Sequence, residues 1–518
     1  MPIKATDLLH RGWQTFRGPL GPIWFAGLGL GLLVSLSGLL IGGWPTLLGL
    51  LLLSGWLPLL AELSGGTRWS WRQRGQCWGW LLGLAILWLP LGWGGYLSTL
   101  QAGLTLPVEW QNWLFMHRYD WLPAVGVLWG GAWLISWKWL PAVRRQLQRP
   151  GSLRTFLITG WQTPWRTVAW QGLRGCRYLL AWLGLAVSWA ALTWLAELWT
   201  PVAGRVTATL GLVSLRAVVW LVVAGWWSTW WPAVPVQRHS WWHLVAGLVI
   251  ASAWLGTSWW LNGPQTRTPA VIAHRGVDGR DGVQNTTTAL TRTVRRSQPA
   301  RVEMDIQPTA DRQWVVMHDP TLNQLSAWSG PVEHYRLSQL SGLPLTEAGQ
   351  RGRLSSFDDY LRVADQRRQP LLVEIKAVGA APALVGPFVA QYGARLLTDH
   401  ATLHSLDYQI VAGLKRRQPQ LTVGYVTPFY LTAFANDTAA DFYSLQALTV
   451  TAAQVRSAHR QGRRVYVWTV DRPFQMHRMR ALGVDGIITN HPSRLRPILR
   501  HSEHYNFYQF INWTVSWL

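Results

Sequence analysis

A chain of 518 residues is too long for one ordinary hydrophobic core, so at least two domains are expected. The formal net charge of +23 would suit a polyanion, but no nucleic-acid motif accompanies it, and only five of the 24 acids (Asp7, Glu62, Glu109, Asp120, Glu197) fall within residues 1–263. That half is apolar with basic residues between its apolar runs, which favours an anionic membrane surface over nucleic acid, and Cys77 and Cys176 alone exclude a disulfide framework or a thiolate metal centre.

Residues 1–22 place Leu8, Leu9, Trp13 and Phe16 among Lys4, Arg11 and Arg17, a spacing compatible with a short interfacial helix. From Ile23 to Leu60 the sequence is almost continuously apolar, broken at Gly42-Gly43-Trp44-Pro45, and reads as a hairpin of two helices. Apolar runs at 78–100, 121–143, 178–199, 207–232 and 242–262 bring the expected spans to seven, with tryptophans near their ends. A buried soluble bundle is the alternative, disfavoured by how few charges the runs contain. Arg68, Arg72 and Arg74, the arginines between 144 and 177, and Arg238 share one side with the N-terminus by alternation. The positive-inside rule makes that side cytoplasmic, and an odd number of crossings then puts Gly263 onward outside the cell. Lys138 and Arg216 fall within spans; the first is near an end and can snorkel, the second is deep enough to hold a lipid headgroup or an internal partner.

Beyond a linker at 261–269 the pattern changes to alternating strand and helix. Strands are expected at 271–275, 301–307, 371–376, 401–405, 421–427, 442–447, 464–470 and 486–489, and helices at 287–296, 356–366, 407–417, 452–461 and 473–482. This order predicts a C-terminal α/β domain of the (β/α)8 barrel type after an all-α polytopic membrane domain, with a doubly wound open sheet as the alternative. The expected domains are 1–263, 264–500 and an aromatic tail, 501–518, that docks on the membrane or the barrel. The run 321–353 lacks clear periodicity and reads as an insertion over the barrel mouth.

The chemistry concentrates between Val271 and Asp319. Glu303 and Asp305 are two apart on a predicted strand, so their carboxylates share a face, which is costly without a cation or proton and suggests a divalent metal. Glu374, on a neighbouring predicted strand, adds a third hard oxygen donor, a set suited to Ca²⁺ or Mg²⁺ rather than zinc. His274 and His318 flank these acids and can exchange protons near neutral pH, each contributing roughly 10²- to 10⁴-fold. Arg275 and Lys376 are placed to neutralise phosphate oxygens or to pair with the carboxylates.

His274-Arg275-Gly276, Glu303-x-Asp305, His318-Asp319 and Glu374-Ile375-Lys376, in that order, resemble the motif series of glycerophosphodiester phosphodiesterases from about Val271 to Pro492. The earlier His10-Arg11-Gly12 lacks every partner group and is set aside. The resemblance implies that Glu303, Asp305 and Glu374 are metal ligands and that His274 and His318 are the catalytic pair. It also implies attack by the substrate's own glycerol 2-hydroxyl, giving a cyclic phosphate that water opens. Asp319, Trp468 and Asp485 sit at motif-like positions, Trp468 as a wall of the glycerol pocket and Asp485 as a support of the barrel. One departure is Val283-Gln284-Asn285-Thr286 where the family has Pro-Glu-Asn-Thr. It removes one negative charge, so an acid restored at 284 is expected to tighten cation binding.

The function expected is metal-dependent hydrolysis of glycerophosphodiesters to glycerol phosphate and an alcohol, by an extracytoplasmic barrel tethered to a multi-pass cell-membrane domain. Candidate substrates are free diesters, phospholipid and teichoic-type polyglycerophosphate, with membrane lipids as further partners. Two rivals are a lipid-handling or transport module whose barrel trims its cargo, and a barrel that binds polyglycerophosphate without turnover.

Overall fold

The computed structural model describes residues 5–40, 44–65, 68–87, 106–149, 151–231, 242–263, 267–379, 381–429, 438–501 and 503–516. They form two compact units, Met1–Leu104 with Tyr119–Pro264 and Asn506–Leu518, and Thr105–Arg118 with Gln265–Tyr505. The sequence pattern placed the boundaries at 263 and 500. The chain instead lends residues 105–118 to the second unit and its C-terminal helix to the first.

The second unit is built on strands β1 (Ala270–Ala273), β2 (Arg301–Pro308), β3 (Trp314–Val316), β4 (Pro344–Glu347), β5 (Gln350–Arg353), β6 (Leu371–Ile375), β7 (Thr402–Ser405), β8 (Thr422–Thr427), β9 (Phe442–Gln446), β10 (Arg464–Trp468) and β11 (Gly486–Thr489). Eight of them pair in parallel in the order β1-β11-β10-β9-β8-β7-β6-β2, and β1 also pairs with β2, so the sheet closes into a (β/α)8 barrel. Closure removes the open-sheet alternative. All eight expected strands are present, each within two residues of its expected ends. On β2, Val302, Met304 and Ile306 alternate with Glu303, Asp305 and Gln307, and all six are buried. The apolar set meets the surrounding helices while the polar set enters the barrel, above a plug of Ile272, Leu372, Phe442, Tyr466 and Ile488.

The five expected helices are found, three of them opened by side-chain caps: Thr286 Oγ1 accepts from Ala289 N at 3.2 Å, Ser356 Oγ from Asp359 N at 3.1 Å and Asp407 Oδ1 from Gln409 N at 2.8 Å. Helices beyond those expected include Val385–Thr398 and Pro492–Arg500. The first buries Val385, Phe388, Val389, Tyr392 and Leu396, a helical stripe that Gly386, Pro387 and Gly393 obscure. The insertion is also structured: β4 and β5 form an antiparallel hairpin, and Leu322, Val332, Leu340, Leu345 and Leu354 make its own small core with Val283 and Met317.

In the first unit, helices Trp165–Trp199 and Pro201–Ser228 are long and apolar enough to cross a membrane. A third candidate is the pair Thr6–Arg17 and Gly21–Val34, bent by 101°. Seven spans were expected; the run at 78–100 lies partly outside the described residues, and the run at 121–143 is interrupted by a 3-10 turn at Trp137–Trp139. Leu180, Val187 and Leu195 are exposed on the first long helix, the arrangement expected of a helix in an apolar solvent. Trp24 is fully buried with Trp56 at 5.1 Å edge-on and Trp227 at 6.4 Å, and Glu62 accepts two bonds from Arg74 at 2.7 and 2.8 Å. Arg216 lies 5.0 Å over the Trp254 ring, and Lys138 reaches Trp161 O at 2.9 Å. The first His-Arg-Gly serves packing: a Cβ on Gly12 would lie 2.1 Å from Leu221 O, so glycine permits this helix crossing. The aromatic tail is helix Tyr505–Val515, and it packs on the helices of the first unit: the Glu197 carboxylate accepts from Asn506 N and Phe507 N, and Phe510 is buried against Gly211.

Candidate active site at the barrel mouth

The chain leaves β1 through a turn in which Arg275 (φ 50°) and Gly276 (φ 69°) both take left-handed backbone. Such a conformation at arginine is uncommon and marks a site where geometry is held by its surroundings. The holding bonds are Arg275 N to Glu303 Oε2 at 2.8 Å and Asn285 N to Arg275 O at 2.8 Å. The turn leaves His274 half-buried at the strand end, where its Nδ1 bonds Asn490 Oδ1 at 2.8 Å. Asn490 is oriented by Asp471, which accepts from its Nδ2 and its backbone N, each at 2.8 Å. Its carbonyl therefore faces His274, Nδ1 carries the ring proton, and Nε2 is left bare 3.9 Å from Glu303. Burial, and then the Arg275 charge, push the His274 imidazole down to about 4, so it is neutral near pH 7.

His318 follows β3, and its Nδ1 donates to Asp319 Oδ1 at 2.8 Å. Buried Gln307 on β2 donates through Nε2 to Met317 O and Asp319 O, at 3.0 and 2.7 Å, which ties this loop to the barrel. Both histidines thus stand at C-terminal strand ends with one ring nitrogen fixed by a neighbour.

The carboxylates stack in register. Asp305 pairs with Glu374 across β2 and β6, and Glu374 with His404 across β6 and β7. Burial and the nearby Asp305 and Glu374 charges hold the Glu303 carboxyl well above its ordinary range. Burial also works to raise Asp305, but Lys376, Arg275 and His318 prevail and hold it below. Glu374 is likewise lowered, against its burial, chiefly by Lys376. Lys376 Nζ donates to Glu374 Oε1 at 2.8 Å and lies 3.5 Å from Asp305, and Arg275 Nε lies 3.6 Å from Asp305. Arg275 and Lys376 are therefore paired with carboxylates, which leaves phosphate neutralisation open to them as a second role.

Of the three acids expected to bind metal, Glu303 and Glu374 come together with His404, their donor atoms lying within 4.8 Å of one another. Asp305 is held by Lys376, Arg275 and the Asn285 amide at 2.8 Å. An excess of buried carboxylate with one carboxyl raised is a donor set that fits a divalent cation. Trp468 ends β10 over the apolar plug and donates from Nε1 to Ser444 O at 3.0 Å, so its ring is fixed. Asp485 lies just before β11, at the opposite end of the barrel, where it accepts from His459 at 2.7 Å and Val465 N at 2.8 Å, a supporting role.

Four features escaped the sequence reading. Asn490 and Asp471, just beyond the ends of β11 and β10, orient His274. Glu347, from the β4–β5 hairpin, accepts from Gln284 N at 2.8 Å and Gln284 Nε2 at 2.6 Å, while Gln284 Oε1 accepts from Arg275. The hairpin thus returns a carboxylate to the position where the motif lacks one. Helix Val108–Met116 covers the ends of β7 and β8: Asn112 accepts from Tyr408 N at 2.7 Å, donates to Asp407 at 3.2 Å, and Phe115 stacks edge-on with Phe429 at 5.2 Å. The fourth is His404.

Residues 274–494 match the model of the Glycerophosphoryl diester phosphodiesterase family. A glycerophosphodiester phosphodiesterase of Caldanaerobacter subterraneus subsp. tengcongensis is 25% identical over 243 residues, 44% of this chain and 97% of its own. YhdW of Bacillus subtilis is 24% identical over 249 residues, 46% of this chain and 99% of its own. Among solved structures, an Oleispira antarctica phosphodiesterase in complex with the product sn-glycerol-3-phosphate is 19% identical, covers 45% of this chain and 98% of its own, and has a TM-score of 0.41.

Proposed function

We propose that this chain, whose residues 274–494 match the model of the Glycerophosphoryl diester phosphodiesterase family, is a member of that family and hydrolyses glycerophosphodiesters to glycerol phosphate and an alcohol. The observation that carries the reading is the pair of histidines at the barrel mouth, each with Nδ1 fixed by a neighbour, Asn490 for His274 and Asp319 for His318.

Neutral His274 takes the proton of the attacking hydroxyl at Nε2. With the glycerol 2-hydroxyl as nucleophile, an oxygen–phosphorus bond forms to give a cyclic phosphate as the bond to the alcohol breaks. His318, oriented by Asp319, gives a proton to the leaving alkoxide. Water then opens the ring with the two roles reversed. Arg275 and Lys376 neutralise the non-bridging oxygens, and the fixed face of Trp468 walls the glycerol moiety. A divalent cation, Ca²⁺ or Mg²⁺ on oxygen donors, held by Glu303 and Glu374 with Asp305 beside them, would supply further charge neutralisation. The helical unit tethers the barrel to the cell membrane, and the basic loops of the first half favour a barrel outside the cell.

The test is release of glycerol phosphate by the purified chain from soluble diesters, phospholipid and polyglycerophosphate, with each cation. Release from soluble diesters, lost by at least about 10²-fold in His274→Ala and in His318→Ala, is expected. Near-normal rates in both variants would refute the acid–base assignment. Activity confined to lipid or polymer would make the membrane unit a presenter of substrate.

A further inference from the structure

His404 sits in β7, inside the barrel, with its side chain 3% exposed and no hydrogen-bond partner on either ring nitrogen among the described residues. Burying an imidazole with its polar atoms unsatisfied is costly, so its position calls for a partner. It is in register with Glu374 on one side and with Gly424 of β8 on the other. Its Nε2 lies 3.9 Å from Glu374 Oε2, too far for a hydrogen bond. That separation is less than twice a metal–nitrogen bond of about 2.1 Å, so one ion can bridge the two atoms. Glu303 completes the group.

We propose that His404 is a direct metal ligand, and that the ion at this site is held by Glu303, Glu374 and His404 in a mixed oxygen–nitrogen set. Asp305, in register with Glu374 across β2 and β6, stands beside this set. A nitrogen donor moves the preference away from Ca²⁺, which favours oxygen, towards ions such as Mn²⁺, Co²⁺ or Zn²⁺ that accept imidazole. The inference rests on the proposed site but not on its turnover.

The test uses the full chain, purified without a polyhistidine tag, stripped by chelator and loaded with Mn²⁺ alone. Pulsed paramagnetic resonance should detect coupling to one directly bound imidazole nitrogen in the native protein and lose it in His404→Gln. Equilibrium dialysis should show Mn²⁺ bound at least about tenfold more tightly than Ca²⁺, and His404→Gln should lower Mn²⁺ affinity by about 10- to 100-fold while leaving Ca²⁺ within about threefold. Absence of nitrogen coupling in the native protein overturns the proposal whether or not the variant folds, as does coupling that persists in His404→Gln. Metal binding as described, with no diester hydrolysis, would instead defeat the proposed function and leave this ligand standing.

Discussion

Gln284→Glu restores the acid of the family motif, yet it should weaken this protein. Gln284 Nε2 donates to Glu347 Oε1 at 2.6 Å, and its backbone N donates to the other Glu347 oxygen at 2.8 Å. A glutamate in the same rotamer replaces that donor with a second carboxylate oxygen. Two like charges at this distance repel by about 6 kcal/mol at an effective dielectric of 20 and by about 1.6 kcal/mol in bulk water. Both side chains are half-buried, so the cost falls between these limits before relaxation. Loss of a hydrogen bond to a charged group adds about 1.5–3 kcal/mol, and a stronger contact with Arg275 returns a part of similar size. A net destabilisation of about 1–3 kcal/mol is expected, which for a barrel of this size lowers the melting temperature by about 2–4 °C per kcal/mol. Melting of Gln284→Glu, Glu347→Gln and the double variant, each with a cation titration, measures it. The double variant should recover most of the loss because it exchanges the two roles. A single variant as stable as the native protein, with tighter cation binding, would refute the argument and return to the expectation from the motif alone.

Asn490→Ala frees His274 to change tautomer and should lower kcat by about 10²-fold with KM within about threefold; a change confined to KM would show that Asn490 does not orient the ring. Asp485→Asn should cost about 1–3 kcal/mol in melting without altering kcat, since it acts at the end of the barrel away from the chemistry. Burial works to raise the Asp485 carboxyl, but the His459 and Val465 bonds hold it below its ordinary value. Its stabilisation is therefore present above a pH of about 3.9 and fades as pH falls below it, so native and Asp485→Asn melting curves should converge in acid. For topology, a membrane-impermeant thiol reagent on intact cells should label a cysteine at exposed Gln366 and spare exposed Cys176; the reverse pattern would place the barrel inside.

The sequence by itself determined the alternation of strands and helices, because each strand is a short run buried on both faces and bounded by turn residues, and that pattern is local; the pairing of β1 with β2 decided for a barrel over an open sheet. It also carried most of the candidate site. Glu303 and Asp305 share a strand, and His274-Arg275 and His318-Asp319 are adjacent pairs, so their proximity needs only a few residues of backbone. The features it hid depend on contacts between distant segments. His404, a single histidine in Thr-Leu-His-Ser, acquires meaning only when β7 is laid beside β6 in register with Glu374. Glu347 reaches Gln284 across 63 residues, and Asn490 reaches His274 across 216. Helix Val108–Met116 lies between apolar runs and reads as a loop of the first half until Asn112 meets Asp407, 295 residues on. Strand and helix periodicity report which face of an element is buried, but not which element covers it. The partner across a barrel is chosen by closure and register, and those are properties of the folded chain.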